Sequence, residues 1–249
     1  MRNYILALTV TVTVLASPAW AFINIESVRM GTKDPFVGKA QLLLSGNGGN
    51  TNKSTAAFSS VNIRRWSNSE FLALIDYNYE TTNSARNVNN GRLHLRQTFA
   101  SREVLAYEFF VQNEFDEFQN LNARRLAGAN LRHEIFRDET NAFFLGTGLF
   151  YEDEDYKLVE DRYGTRGNLY LSYTEKITEA LQGSATIYYQ PSLSRANDYR
   201  IRLQSGLHVR MTERFAVNLE FELKHESNLP DPRLQSTDTR YLAGFSVTY

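Results

Sequence analysis

The string His-Glu-Ser-Asn at residues 225–228 contains the two residue types that a serine hydrolase needs. In an extended strand, His225 and Ser227 point to the same side because side chains alternate with a period of two. Ser227 would attack an ester carbonyl and His225 would take its proton, while a third group would orient the imidazole. The same parity puts the pair on the face of Phe221 and Leu223, so this interpretation implies a substrate at an apolar surface.

A second interpretation of these residues involves no catalysis. His225 suits the polar end of a strand, and Asn228, Pro230 and Asp231 are typical of the turn that would follow. The sequence shows no identifiable partner that would orient the imidazole. We therefore favour a protein that is not an enzyme, with hydrolysis by Ser227 and His225 as the alternative.

Four consecutive carboxylates form another cluster that could bind a ligand: Glu152, Asp153, Glu154 and Asp155. Carboxylates at this density can bind Ca²⁺ or Mg²⁺, although the spacing matches no named calcium loop. A solvated acidic loop is the favoured interpretation, so we expect no metal site. The chain also lacks a glycine-rich phosphate loop, and we expect no cofactor.

The composition excludes some classes of protein. The formal net charge of −1 argues against nucleic-acid binding, which needs a basic face. The chain has no cysteine, so disulfides cannot hold the fold. Aromatic residues make up 13% of the chain, and such residues suit strands and membrane interfaces.

Apolar and polar residues alternate with a period of two along most of the chain after Pro35. One clear case is the segment 215–224, in which Phe215, Val217 and Leu219 alternate with more polar neighbours. The pattern predicts twelve strands. They are expected at residues 36–44, 55–65, 71–79, 92–99, 105–114, 123–133, 142–151, 166–173, 181–189, 200–210, 215–224 and 239–249.

The connections between these strands alternate between short and long. Short ones are predicted at residues 66–69, 101–103, 136–141, 174–179 and 211–214, and long ones at 45–54, 80–90, 115–122, 152–165, 191–198 and 226–237. Tight turns that alternate with longer loops are typical of bacterial outer-membrane barrels, and strands of about ten residues can cross the hydrocarbon when tilted. Because the hydrocarbon contains no water to hydrogen-bond an unpaired backbone N–H or C=O group, the sheet must close on itself. The sequence therefore predicts an all-β, transmembrane, antiparallel up-and-down β-barrel of about twelve strands in the cell outer membrane. A soluble periplasmic barrel is a further alternative.

The polar face of the predicted strands must then be the lumen, because a charge facing lipid at mid-bilayer costs about 2–4 kcal/mol. The predicted lumen-lining charges are Arg92, Arg96, Glu108, Glu114, Arg132, Arg200, Arg202, Arg210, Glu220 and Glu222. Mixed signs favour internal ion pairs over a pore ring of a single sign. The sequence is compatible with two interpretations, a plugged lumen and a small solute channel.

The two ends of the chain carry export signals. Residues 1–21 have a positive start, an apolar stretch and an Ala-x-Ala end, which predict a signal peptide. Residues 22–35 are expected to be a periplasmic lead-in or, alternatively, a partial plug in the lumen, and residues 36–249 the barrel. The apolar alternation of Tyr241, Phe245, Val247 and Tyr249 resembles the C-terminal signal that barrel-assembly machinery recognises. Expected partners are this machinery during biogenesis, outer-membrane lipid and lipopolysaccharide.

Several strings occur in a specific order: Ser45-Gly46-Asn47, the turn Phe-Arg-Asp-Glu-Thr at 136–140, Gly-Thr-Gly-Leu at 146–149, the acidic run at 151–156, Asp198-Tyr199-Arg200 and Asp-Thr-Arg at 238–240. Together they resemble the family labelled domain of unknown function 481, whose members are described as salt-induced outer-membrane proteins. The resemblance covers nearly all of residues 36–249. It implies a bacterial outer-membrane barrel with no assigned catalytic residues.

A second, local resemblance concerns the string at 225–228, which is similar to the His-x-Ser-Asn string of outer-membrane phospholipase A. Lipid A deacylases carry a related His-x-Ser pair. The glycine that follows in the phospholipase is replaced here by Leu229-Pro230. The expected function is structural or related to envelope or osmotic stress, with a narrow passive channel as one form of it and a lipid hydrolase as the alternative.

Overall fold

The computed structural model describes residues 28–29, 34–49 and 52–249. The predicted signal peptide and most of the predicted lead-in lie outside the described residues. Among the described residues, no helix has the length and apolar character needed to cross a bilayer.

Twelve antiparallel strands form one closed barrel in simple sequential order, and the first strand pairs with the last. This confirms the predicted fold class. The strands are β1 (Phe36–Asn47), β2 (Lys53–Arg65), β3 (Ser69–Thr82), β4 (Ala85–Phe99), β5 (Leu105–Asp116), β6 (Leu121–Arg137), β7 (Asn141–Tyr156), β8 (Arg162–Lys176), β9 (Leu181–Pro191), β10 (Tyr199–Arg210), β11 (Phe215–Glu226) and β12 (Thr237–Thr248).

The barrel closes through a short ladder between β1 and β12, which runs from Lys39–Thr248 to Gln41–Ser246. Two backbone hydrogen bonds between Gly38 and Tyr249, of 2.8 and 2.9 Å, extend this ladder. The ring of Tyr249 lies over Gly38, where a Cβ atom would come within 2.4 Å of the ring. The C-terminal residue therefore belongs to the closing contact.

The two ends of the barrel differ, and we call them the turn end and the loop end. The turn end contains the connections at 66–68, 100–104, 138–140, 177–180 and 211–214, and the loop end contains those at 48–52, 83–84, 117–120, 157–161, 192–198 and 227–236. Two predicted long loops are in fact mostly strand. The loop expected at 80–90 is a two-residue turn, in which Asn83 and Ser84 have φ angles of 50° and 66°. Such a turn matches the twist of a hairpin, so β3 and β4 continue almost to its tip.

Side chains alternate between the barrel interior and the outer surface along every strand. The outer surface carries large exposed apolar side chains, for example Phe109, Val111, Leu149 and Phe245. The interior is not uniformly polar. Near the turn end of β1 to β3, it contains a buried apolar cluster of Val37, Val61, Ile63, Leu72 and Leu74, together with Val28. Alternation alone could not reveal this cluster, because Phe71, Ala73 and Ile75 make the outer face of β3 apolar as well.

Candidate functional site in the barrel interior

Glu152 on β7 is the centre of an ion-pair network in the loop-end half of the interior. Its carboxylate lies 2.9 Å from Arg124 on β6 and 2.6 Å from Arg200 on β10, and it also accepts a short hydrogen bond from Arg166 on β8. The Glu152 side chain is only 1% exposed. One carboxylate thus joins three strands across the lumen.

Neighbouring acidic residues complete the pairing of these arginines. Glu154 lies 2.6 Å from Arg200 and 3.1 Å from Arg124, and Glu114 lies 2.7 Å from Arg124. Asp198, directly before β10, lies 2.8 Å from Arg166. A buried guanidinium keeps its charge when carboxylates surround it, so the network lines this part of the lumen with matched charges.

The middle of the barrel is organised around Glu108 on β5, whose side chain is completely buried. The phenol of Tyr170 on β8 donates a hydrogen bond to Glu108 at 2.8 Å. Arg96 on β4 lies 3.4 Å from the same carboxylate. The Tyr170 ring lies against Gly146 on β7, where a Cβ atom would come within 1.9 Å of the ring. Gly146 therefore makes the space that brings this phenol to Glu108.

At the turn end, residues 28–29 lie inside the barrel. Val28 packs into the apolar cluster and is 5% exposed. The guanidinium of Arg29 lies 2.7 Å from Glu70 and 3.7 Å from Glu108, and it donates a hydrogen bond to Thr98 at 3.4 Å. These contacts hold a piece of the chain before β1 against the lumen wall.

Two cavities remain in the loop-end half. The inner cavity has a volume of about 90 Å³, and its lining includes Phe110, Phe150 and several arginines. The outer cavity has a volume of about 480 Å³ and lies below the connection at 227–236. Arg124, Arg202, Lys224 and Glu226 line both cavities, so these four side chains form the junction between them.

The β11–β12 connection over the outer cavity is held by an internal ion pair. Arg233 lies 2.7 Å from Asp231, and its backbone N–H also donates to that carboxylate at 3.0 Å. The side-chain hydrogen bond from Arg233, followed by the backbone one, lowers the pKa of Asp231 to about 2. Asp231 is therefore ionised throughout the physiological pH range.

Nearly all the predicted lumen-lining charges lie in the interior. Arg92 forms a short bond with Asp76, Arg132 approaches Glu108 at 3.7 Å, and Arg202 lies 3.4 Å from Glu222. Glu220 is also buried, at 8% exposure. The predicted residues Arg96, Glu108, Glu114 and Arg200 also form ion pairs in the interior.

Arg210 differs from the other predicted lumen-lining charges. It lies at the turn end of β10, where its side chain is exposed and donates to the backbone carbonyl of Glu179 at 2.6 Å. It has the parity of the interior face but stands beyond the enclosed part of the lumen.

The acidic run at 152–155 lies in β7, not in the loop predicted at 152–165. The strand continues because Glu152 and Glu154 find arginine partners in the interior. Asp153 faces outward and lies 3.0 Å from Arg125, and Asp155 accepts a hydrogen bond from Asn122. The four carboxylates therefore do not converge on one point. Among the described residues, no group of three or more potential ligating side chains could hold a metal ion.

The structure does not join His225 and Ser227 through a hydrogen bond. The Ser227 hydroxyl donates to the backbone carbonyls of Asn197 and Tyr199, at 2.8 and 3.0 Å, and accepts from the N–H of Tyr199 at 2.7 Å. The His225 ring is 2.8 Å from the hydroxyl of Thr237. Ser227 thus connects the β9–β10 and β11–β12 loops, which is a structural role, and we do not propose the hydrolase.

We expect Ser227→Ala to leave phospholipid and lipopolysaccharide acylation unchanged in cells. The substitution should instead increase protease cleavage within residues 192–198, because it removes the hydroxyl that bonds to Asn197 in that loop and to Tyr199 directly after it. Mass spectrometry of the lipids and limited proteolysis check the two parts. A deacylation product that disappears with Ser227→Ala would contradict the structural role.

The residues of the proposed C-terminal signal share the outer face of β12. Tyr241, Phe245, Val247 and Tyr249 are all exposed. The phenol of Tyr249 also donates to the side chain of Asn62 at 3.0 Å. An exposed aromatic edge of this kind is available to an assembly factor while the barrel is still open, and this recognition stays a prediction.

Sequence reasoning missed several interior charges that matter in the structure. These are Arg29, Glu70, Asp76, Arg124, Glu152, Glu154, Arg166, Asp198, Lys224 and Arg240. Extending the strand parity of Glu220 and Glu222 would have found Lys224, and that of Arg200 and Arg202 would have found Asp198. The partners of Arg29 could not be inferred, because no strand pattern covers that segment.

The sequential closed sheet, apolar outside and ionised inside, defines the class of outer-membrane β-barrel folds. The fold is similar to that of NanC porin, with a TM-score of 0.51 and 12% identity over 85% of this chain and 98% of that chain. The translocator domain of autotransporter NalP from Neisseria meningitidis gives a TM-score of 0.47 and 10% identity over 90% of this chain and 92% of that chain. A search of curated protein sequences finds no match.

The sequence family described as "Protein of unknown function, DUF481" matches residues 40–249. The chain therefore belongs to this family, as its ordered motifs predicted. Membership agrees with the barrel fold and assigns no activity.

Proposed function

We propose that this protein is a narrow channel of the outer membrane whose lumen is closed at rest by residues 28–29 of its own chain. In this arrangement the turn end faces the periplasm and the loop end faces outward. The exposed apolar surface contacts lipid, and the ion-pair network lies in the lumen. The fold similarity to an outer-membrane porin supports this placement.

One observation carries the proposal: the position of Val28 and Arg29 inside the turn end. A barrel filled only for rigidity would not need a 480 Å³ cavity in its outer half. Here the outer half holds open space, while the inner half is closed by Val28 in the apolar cluster and by Arg29 at 2.7 Å from Glu70. A closed channel is expected to have this arrangement, with an open cavity on one side of a chain segment that is bound in the lumen.

We expect purified wild-type protein to give no sustained conductance in planar bilayers and the double variant Val28→Asp/Arg29→Ala to give stepwise currents. The substitutions remove both the apolar anchor and the bond to Glu70, so the segment should leave the lumen. Arg137→Ala is the matched control, because Arg137 is a half-exposed turn-end arginine whose ion pair is with its neighbour Glu134.

Heat-modifiable gel mobility would establish that each variant is folded. If the folded double variant conducts no more than the wild type, the closure is permanent and the barrel has a structural role in the envelope. If the wild type conducts as well as the double variant, residues 28–29 do not close the lumen.

A further inference from the structure

We propose that the junction between the two cavities is a binding site for a small oxyanion, such as a phosphate, sulfate or carboxylate group, and that Lys224 and Arg202 are its principal ligands. A role of this site in selecting solutes for the lumen rests on the proposed channel function. Binding of the anion itself can be tested without measuring conduction.

The lining of the inner cavity is rich in positive charge. Six cationic side chains face the cavity, namely Arg92, Arg96, Arg124, Arg200, Arg202 and Lys224, and Glu226 is the one carboxylate among the lining residues that the structure describes. Of the carboxylates that balance them, Glu108 and Glu152 are at most 1% exposed, whereas Glu114, Glu154 and Glu222 line the outer cavity. A guanidinium group has five N–H donors and an ammonium group three, so cationic side chains of this kind can bind an oxyanion.

Among the six cations that line the inner cavity, Lys224 has the fewest side-chain hydrogen bonds and ion pairs. Among the described residues, its ammonium group has no side-chain hydrogen bond and no carboxylate within 4.0 Å. The nearby acidic groups lie against arginines: Glu222 is 2.8 Å from Arg240 and 3.4 Å from Arg202, and Glu226 is 3.2 Å from Arg200. An ammonium group with three donors in a partly buried position needs either water or an anion.

The register of the sheet puts a second cation beside it. Arg202 on β10 is the direct cross-strand neighbour of Lys224 on β11. Like charges directly opposite each other on one face destabilise a sheet, and an anion bound between them would reverse that effect. On the other side, β12 places Asp238 opposite Lys224, but the Asp238 carboxylate accepts a hydrogen bond from Gln119 at 3.2 Å. Arg202 and Lys224 both line the two cavities.

The dimensions restrict the ligand. The inner cavity of about 90 Å³ holds a group of a few atoms, whereas the outer cavity of about 480 Å³ can hold the body of a larger solute. The acidic group could thus belong to a free inorganic anion or to a small acidic solute. Both sources share the same chemistry at Lys224 and Arg202.

Isothermal titration calorimetry of the folded full chain in detergent tests the site with inorganic phosphate and glucose 6-phosphate as probes. Matched titrations with sodium chloride control for ionic strength. We expect saturable binding of phosphate, weakened at least tenfold by Lys224→Gln. The control Arg125→Gln, which removes an exposed loop-end charge outside the lumen, should change the affinity less than twofold.

Tighter binding of glucose 6-phosphate than of phosphate would show that the outer cavity contributes, and equal affinity would restrict the site to the anion itself. Arg202→Gln provides a second variant with the same expected loss, in case Lys224→Gln does not fold. Absence of saturable binding to the wild type, or unchanged affinity in a folded variant, would overturn the proposal. Neither result bears on the bilayer test of residues 28–29.

Discussion

Glu152→Ala is expected to lower the free energy of unfolding by about 3–5 kcal/mol, the cost of removing one partner from a buried ion pair. The carboxylate is shared by Arg124, Arg166 and Arg200, so its loss leaves three buried guanidinium groups with too little negative charge. Equilibrium unfolding in urea, followed by the gel mobility of the folded barrel in detergent, measures the change.

The neighbouring residue offers a matched control. Asp153 lies on the same strand and also pairs with an arginine, but its side chain is 47% exposed on the outer face. Asp153→Ala should therefore change the stability by less than about 1 kcal/mol, as is usual for exposed pairs. If the two variants were equally stable, the buried network would not be a main source of stability.

Gly146→Ala is expected to destabilise the barrel by about 2–3 kcal/mol through overpacking. The added methyl group would lie 1.9 to 2.5 Å from three atoms of the Tyr170 ring. The ring cannot simply move aside, because its hydroxyl is bonded to the fully buried Glu108 at 2.8 Å. The same urea titration measures this loss.

Two further variants separate a steric cause from a general intolerance of strand positions to alanine. Gly183→Ala should be nearly neutral, because its nearest neighbours would be side-chain carbons of Ile177 and Leu207 at 3.5 and 3.6 Å. In a double-mutant cycle, Gly146→Ala should cost at least 1 kcal/mol less in a Tyr170→Leu background. Additive effects would mean that the contact between Gly146 and Tyr170 is not the cause.

Much of the fold was readable from local patterns. A period of two over twelve segments indicated strands, and the alternation of short and long connections together with an apolar face indicated a closed sheet. The number of strands and their sequential order follow from this, since neighbouring strands joined by short connections pair with each other. The ends of the strands did not follow, because Glu152 and Glu154 looked like loop residues until their arginine partners on other strands were known.

The sequence by itself determined that this chain forms an antiparallel barrel and, through strand parity, which side of the wall most charged residues face. Only the tertiary structure decided which of them meet. Strand parity shows which face of the wall a side chain is on but not its position along the barrel axis. That position depends on the stagger of all twelve strands and on the curvature of the barrel. That is why Glu152 could be matched with Arg200, 48 positions away, only in three dimensions. The same holds for Arg29, which reaches Glu70 and Glu108 from a segment without a strand pattern.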